Sequence, residues 1–121
     1  MDELLKQIGR PYEMSFEDGN YQGCFYPVYF LNPELPKYPL PTKDPADSWH
    51  YGVKLINHHA EHIKDEDVQA GDVLVTKYNN ELHVGIMLNK HQVVHVFKNH
   101  TLQVSRLRFF GDRKLAFYRV N

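Results

Sequence analysis

Apolar and polar residues alternate through much of the second half of the chain, which is the period of a β-strand. The alternation is clearest in Glu81–Leu88, and β-branched or aromatic residues are frequent in the neighbouring segments. Because the connections between these segments are short, we expect consecutive strands to pair in an antiparallel sheet. The sequence therefore predicts about five strands, over Val73–Lys77, Leu82–Leu88, Val93–Phe97, Leu102–Leu107 and Leu115–Arg119.

Helical patterns are confined to the first half of the chain. Asp2–Ile8 predicts a short helix, and Cys24–Leu31 predicts a second one that tolerates Pro27 in its first turn. Trp49–His62 has apolar residues at helical spacing and predicts a third helix. Leu31–Pro45 is rich in proline and predicts a surface loop. Helices followed by an antiparallel sheet indicate the α+β class.

The turn after Leu88 decides whether two strand histidines, His83 and His95, can meet. A two-residue turn would place the two side chains on opposite faces of the sheet. A three-residue turn over Asn89–His91 would pair Gly85 with His95, and the histidines would become diagonal neighbours with Cα atoms roughly 7–8 Å apart. The chain lacks the Asn-Gly or Asp-Gly of a two-residue type I′ turn. The longer turn is therefore plausible.

Composition limits the classes of function. The 121 residues are enough for one domain, and 42% apolar with 24% charged residues are typical of a soluble globular protein. A net charge of -1 gives no reason to expect nucleic acid or an anionic membrane as a partner. Met1–Lys6 lacks the basic start and apolar core of a signal peptide, so we expect synthesis in the cytoplasm.

Cys24 is the single cysteine of the chain. It cannot form an internal disulfide, and it cannot build a zinc site from several cysteines. It is either a small buried apolar residue or a nucleophile. Its predicted position at the start of a helix favours the thiolate, and one imidazole oriented by a second polar group would complete a triad with His83 and His95.

Four parts of the sequence resemble the NlpC/P60 family of papain-like cysteine peptidases, in matching order over roughly residues 2–97. Ile8–Tyr12 is similar to the family's Gly-x-Pro-Tyr motif, and Gly23–Cys24 stands where the family has Asp-Cys-Ser-Gly. Val68–Val75 resembles Leu-x-Pro-Gly-Asp-Leu-Val-Phe. His83–Ile86 is the family's His-Val-Gly-Ile strand, and Val94–His95 falls where the third polar residue sits.

The resemblance implies a papain-like fold, with N-terminal helices packed on the sheet, and a catalytic role for three residues. Cys24 would be the nucleophile, His83 the general base and acid, and His95 the residue that orients it. The main-chain N–H of Cys24 would supply part of the oxyanion hole, and Tyr12 would assist or contact substrate. The implied reaction is cleavage of peptide or amide bonds in peptidoglycan stem peptides through a thioester, without a cofactor.

The positions around the cysteine depart from the family pattern. Gly23, Phe25 and Tyr26 replace the family's Asp, Ser and Gly, and the bulky rings could narrow the cleft. A catalytically degenerate relative with a binding or structural role is therefore the alternative. Because the chain carries no export signal, a bacteriophage tail or a delivery protein is an expected partner, together with the peptidoglycan peptide.

A second alternative is a zinc hydrolase. His58–His62 (HHAEH) has the H-x-x-E-H pattern within the third predicted helix. On a helix, His58 and His62 would share one face and could bind zinc, with Glu61 beside them. The spacing indicates no third ligand, so we expect no metal site.

Overall fold

The structure is a computed structural model that describes residues 1–12, 23–35, 53–78, 81–111 and 114–121. Its centre is a six-stranded antiparallel sheet with the order β1-β6-β2-β3-β4-β5. The strands are β1 (Ala60–Ile63), β2 (Val73–Tyr78), β3 (Glu81–Met87), β4 (Gln92–His95), β5 (Gln103–Arg106) and β6 (Ala116–Val120). Five of them correspond to the five predicted strands, and β2 to β5 follow one another as neighbours.

The sixth strand, β1, corrects both the predicted strand number and the third helix. Residues 53–59 are helical, but Ala60–Ile63 is extended and pairs with β6 along its whole length. Ile63 is buried by this pairing. Tertiary pairing with a distant strand therefore outweighs the local helical pattern at this point. The predicted start of the helix, at Trp49, lies outside the described residues.

The remaining helices are short. We label them α1 (Asp2–Leu5), α2 (Tyr26–Leu31) and α3 (residues 53–59), and a 3-10 turn over Gly23–Phe25 leads directly into α2. Pro27 lies in the first turn of α2, as predicted. Most of the predicted proline-rich loop, residues 36–45, lies outside the described part. No described helix combines the length and apolar character needed to cross a membrane.

The sheet has an apolar cluster on each side. Alternation along β3 directs Val84 and Ile86 into one cluster and Met87 into the other. The first cluster, which we call the helix-side cluster, includes residues of all three helices: Leu4, Val28, Tyr29, Leu55 and Ile56. The second, the far-side cluster, is formed by Ile63, Val68, Leu74, Met87, Val93, Phe110 and Phe117. The helices pack on one side of an antiparallel sheet, which confirms the α+β class.

The Ala-Gly-Asp turn before β2 is a structural anchor. Gly71 has a φ of 95°, which a residue with a side chain rarely adopts. Asp72 is buried; its carboxylate accepts a hydrogen bond from the main-chain N–H of Gln69 and two more from the Arg119 guanidinium, each 2.8–2.9 Å. The turn therefore fixes the start of β2 against β6.

The N-terminal segment is joined to the loop before β5. The N–H of Gly9 donates to the carbonyl of Leu102 at 2.8 Å, and the N–H of Leu102 donates to the carbonyl of Arg10 at 2.7 Å. Pro11 and Thr101 form an isolated antiparallel bridge. These contacts hold residues 9–11 beside the loop that leads into β5.

Candidate active site

Two strand histidines lie in direct contact. The turn at residues 89–91 has three residues, because Ile86 pairs with Val94 and the N–H of Leu88 donates to the carbonyl of Gln92 at 2.9 Å. The longer turn is therefore confirmed. His83 Nε2 lies 2.9 Å from His95 Nδ1, within hydrogen-bond distance, and the two rings are nearly perpendicular, at 87°.

Gly85 allows the two strands to approach each other at this point. A Cβ atom on Gly85 would lie 2.7 Å from Cγ2 of Val93, 2.9 Å from the carbonyl oxygen of Val94 and 3.1 Å from Cβ of His95. Two of these distances are shorter than real Cβ contacts, and one involves the backbone. A residue without a side chain is therefore required opposite His95 for the histidines to keep their spacing.

The histidine pair is removed from water. His95 is fully buried, His83 is 5% exposed, and the ring of Phe97 stacks on His83 with centroids 4.5 Å apart. Burial, together with the nearby His95, lowers the pKa of His83 to about 3, and burial lowers the pKa of His95 to about 4. Both imidazoles are therefore neutral at neutral pH.

Cys24 lies beside the same strand. It is half-buried in the 3-10 turn before α2, and it packs against the helix-side cluster. Its thiol donates a weak hydrogen bond to the carbonyl of Leu82, with sulfur and oxygen 3.7 Å apart. The structure thus places the sulfur beside the residue that precedes His83. The expected position next to a helix start is confirmed.

Comparison with known families gives this arrangement a context. The sequence profile of the NlpC/P60 family matches residues 29–117, which is more than half of the chain. The chain belongs to the NlpC/P60 family. This is a family of cell-wall peptidases, and the observed sheet with its few helices is consistent with the predicted papain-like fold. No curated protein matches the chain.

The family match covers the two histidines but begins five residues after Cys24. Of the four parts of the predicted resemblance, Ile8–Tyr12 and Gly23–Cys24 lie before the matched region, and the other two lie inside it. Tyr12 is half-buried beside the helix-side cluster, and its main-chain N–H donates to the carbonyl of His100 at 2.9 Å. Tyr12 and Cys24 therefore contact the same cluster.

Phe25 and Tyr26, whose rings stand where the family motif has Ser and Gly, pack against neighbouring side chains. The Tyr26 ring lies under the Arg10 guanidinium, 4.3 Å from its carbon, and the Tyr26 hydroxyl is 3.4 Å from Oε1 of Gln7. The Phe25 ring stacks on Tyr29, with centroids 5.7 Å apart. Both rings therefore pack on N-terminal and α2 residues, which gives them a structural role.

Sequence reasoning missed one residue of the site, Ser105. Its hydroxyl oxygen lies 2.7 Å from Nε2 of His95, so both ring nitrogens of His95 have partners. Alternation along β5 would turn the apolar Val104 inward and Ser105 outward. The structure has the reverse orientation, with Val104 exposed and Ser105 half-buried.

The predicted zinc pattern does not form. His58 lies in α3, whereas Glu61 and His62 lie in β1, so His58 and His62 are not neighbours on one helix face. The His62 ring packs edge-on against Tyr118, with centroids 5.3 Å apart. Within the described ranges, no group of three His, Cys, Asp or Glu side chains is arranged to hold a metal ion. The prediction that His58 and His62 share one helix face is therefore wrong.

Proposed function

We propose that this NlpC/P60 protein is a cysteine hydrolase that cleaves peptide or amide bonds in peptidoglycan stem peptides. The observation that carries the proposal is the 2.9 Å contact between His83 and His95, in a chain of this family. The position of Cys24 beside the carbonyl of Leu82, one residue before His83, supports it. The reacting unit would be Cys24, His83 and His95, within a single domain over residues 1–121.

The hydrogen bonds of His83 support one assignment of roles. Nε2 of His83 is used by His95, so Nδ1 is the ring nitrogen left for the thiol proton. Attack by the Cys24 sulfur on the acyl carbon would transfer that proton to Nδ1 of His83, which then gives it to the leaving amine. Water would cleave the resulting thioester. The main-chain N–H of Cys24, assisted by Tyr12, would stabilise the oxyanion.

The buried histidines set the resting state of this site. A His83 whose pKa is about 3 is a neutral imidazole at pH 7, and its conjugate acid is strongly disfavoured. A stable pair of thiolate and imidazolium is therefore not expected before substrate binds. The proton would move from Cys24 to His83 as the sulfur attacks, which is general-base catalysis within the transition state.

The competing hypothesis is a degenerate relative that binds cell-wall peptides without cleaving them. The departures at Gly23, Phe25 and Tyr26 are what favour it. A bacteriophage tail or delivery protein as partner, and synthesis in the cytoplasm, stay predictions that nothing in the fold or the family match supports.

The test is hydrolysis of purified peptidoglycan fragments, with new amino termini measured by mass spectrometry. Cys24→Ala should abolish cleavage, and His83→Ala should lower the rate by about 10²–10⁴, the range for loss of a general base. His91→Ala is the matched control, because this histidine lies exposed in the turn of the same hairpin and should leave the rate unchanged.

Alkylation of the single cysteine separates the two hypotheses. If the protein is a hydrolase, iodoacetamide should react with Cys24 faster in the wild type than in His83→Ala. Only the wild type has the His83 imidazole to accept the thiol proton. Equal rates in both proteins, with no cleavage of any fragment, would mean that the site is vestigial and that the domain only binds.

A further inference from the structure

Ser105 extends the histidine pair into a chain of three side chains from three adjacent strands. Nε2 of His83 in β3 lies 2.9 Å from Nδ1 of His95 in β4, and Nε2 of His95 lies 2.7 Å from Oγ of Ser105 in β5. His95 is fully buried, and each of its ring nitrogens has one of these side chains as its partner. Ser105 is half-buried, at the outer end of this row of three side chains.

The available hydrogens allow two arrangements of the hydrogen bonds that join His83, His95 and Ser105. A neutral imidazole has one N–H donor and one acceptor nitrogen. If Ser105 donates to His95, then His95 Nδ1–H donates to Nε2 of His83, and the proton of His83 must sit on Nδ1. If His95 Nε2–H donates to Ser105 instead, His83 Nε2–H donates to Nδ1 of His95, and Nδ1 of His83 keeps its lone pair.

We propose that Ser105 is a positioning residue that accepts the hydrogen bond from His95 Nε2–H and thereby keeps Nδ1 of His83 unprotonated. The inference rests on the proposed function, because only the second arrangement lets His83 accept a proton from Cys24. Ser105 touches neither the thiol nor the scissile bond in this scheme. It acts through His95.

A hydroxyl suits this position physically. Oγ can accept the hydrogen bond from His95 while its own hydrogen turns toward solvent, since Ser105 is half-buried. When Nδ1 of His83 takes the thiol proton, Cys24 becomes a thiolate and His83 an imidazolium. Its Nε2–H already donates to His95, so no donor has to reorient. Burial keeps both rings neutral at rest, as the scheme requires.

The direct test is nitrogen-15 NMR of the histidine rings at neutral pH, in the wild type, Ser105→Ala and Ser105→Thr. In the wild type, His83 and His95 should both carry their proton on Nε2. Ser105→Ala should increase the population with protons on Nδ1 of both rings, and Ser105→Thr, which keeps the hydroxyl, should preserve the wild-type tautomers. Val104→Ala is the control, because Val104 is the neighbouring residue and lies exposed on the opposite face of β5.

The kinetic readout is the alkylation rate of Cys24 together with fragment cleavage. Ser105→Ala should lower both by about tenfold to a hundredfold, less than loss of the base itself. Ser105→Thr should restore the rates, and Val104→Ala should not change them. Thermal unfolding of each variant separates a change in tautomer from a loss of folded protein.

The outcomes distinguish this inference from the proposed function. A wild-type His83 protonated on Nδ1 would overturn it without any variant. So would Ser105→Ala with unchanged tautomers and rates, even if His83→Ala confirms the hydrolase. If the tautomers respond to Ser105 but the wild type cleaves no fragment, the proposed function fails and the structural role of Ser105 stands.

Discussion

Lowering the pH from 7.5 to 5.0 should destabilise the folded protein through the His83–His95 pair. Burial lowers the pKa of His83 to about 3 and that of His95 to about 4, whereas in the unfolded chain each titrates near 6.5. Between these values the unfolded chain binds protons that the folded protein does not. The stability contributed by the neutral pair is therefore complete above pH 6.5 and is lost as the pH falls toward the folded pKa values.

The size of the destabilisation at pH 5.0 follows from the pKa of about 6.5 that each histidine has in the unfolded chain. This pH is about 1.5 units below that pKa, and one pKa unit corresponds to about 1.36 kcal/mol. Each histidine therefore lowers the free energy of unfolding by about 2 kcal/mol, and the pair lowers it by about 4 kcal/mol. Both folded pKa values lie below 5.0, so the loss at this pH hardly depends on how far below they lie. Domains have about 5–15 kcal/mol of stability in total. The loss should therefore be easy to measure.

Urea unfolding followed by circular dichroism, at pH 7.5 and 5.0, is the assay. The double variant His83→Gln/His95→Gln removes both titrations and leaves every other ionisable group in place. Its free energy of unfolding should fall by about 4 kcal/mol less between the two pH values than that of the wild type. His91→Gln, in the exposed turn, should behave as the wild type does. An equal loss in the wild type and the double variant would refute a buried, neutral histidine pair.

Two substitutions test the packing around the pair. Gly85→Ala should lower the free energy of unfolding by about 1–3 kcal/mol, because the new Cβ would press on the carbonyl of Val94 and push β3 from β4; an unchanged urea midpoint would contradict this close approach. Thr76→Val should cost about 1 kcal/mol, because the buried hydroxyl donates to the carbonyl of Lys114 at 3.0 Å. Measuring stability equal to the wild type would show that this bond contributes nothing.

Local sequence was sufficient for five of the six strands and for the histidine register. Alternation over Glu81–Leu88 predicted β3, and the missing Asn-Gly favoured the three-residue turn that the structure contains. Both features depend on neighbouring residues only. Side-chain direction then follows from the strand period, so the turn length and the alternation together are enough to bring His83 and His95 to one face.

Contacts between residues far apart in the sequence could not be predicted from local patterns. β1 is extended because it pairs with β6, which lies more than fifty residues later in the sequence. No local pattern in residues 60–63 predicts this pairing. Ser105 reaches His95 because β5 turns its polar face inward, against the alternation of its own sequence. The position of Cys24 beside Leu82 likewise joins residues 58 positions apart. Each of these contacts is decided by tertiary packing.

The bridge between Pro11 and Thr101 has a consequence for the order of folding. Contacts that join residues about ninety positions apart form late, because the entropy of closing so long a loop must be met before they stabilise anything. On a ribosome, residues 9–12 therefore emerge early but cannot dock before the loop ahead of β5 has been synthesised. A nascent chain would therefore leave residues 9–12 without these partners until β1 to β4 have been synthesised.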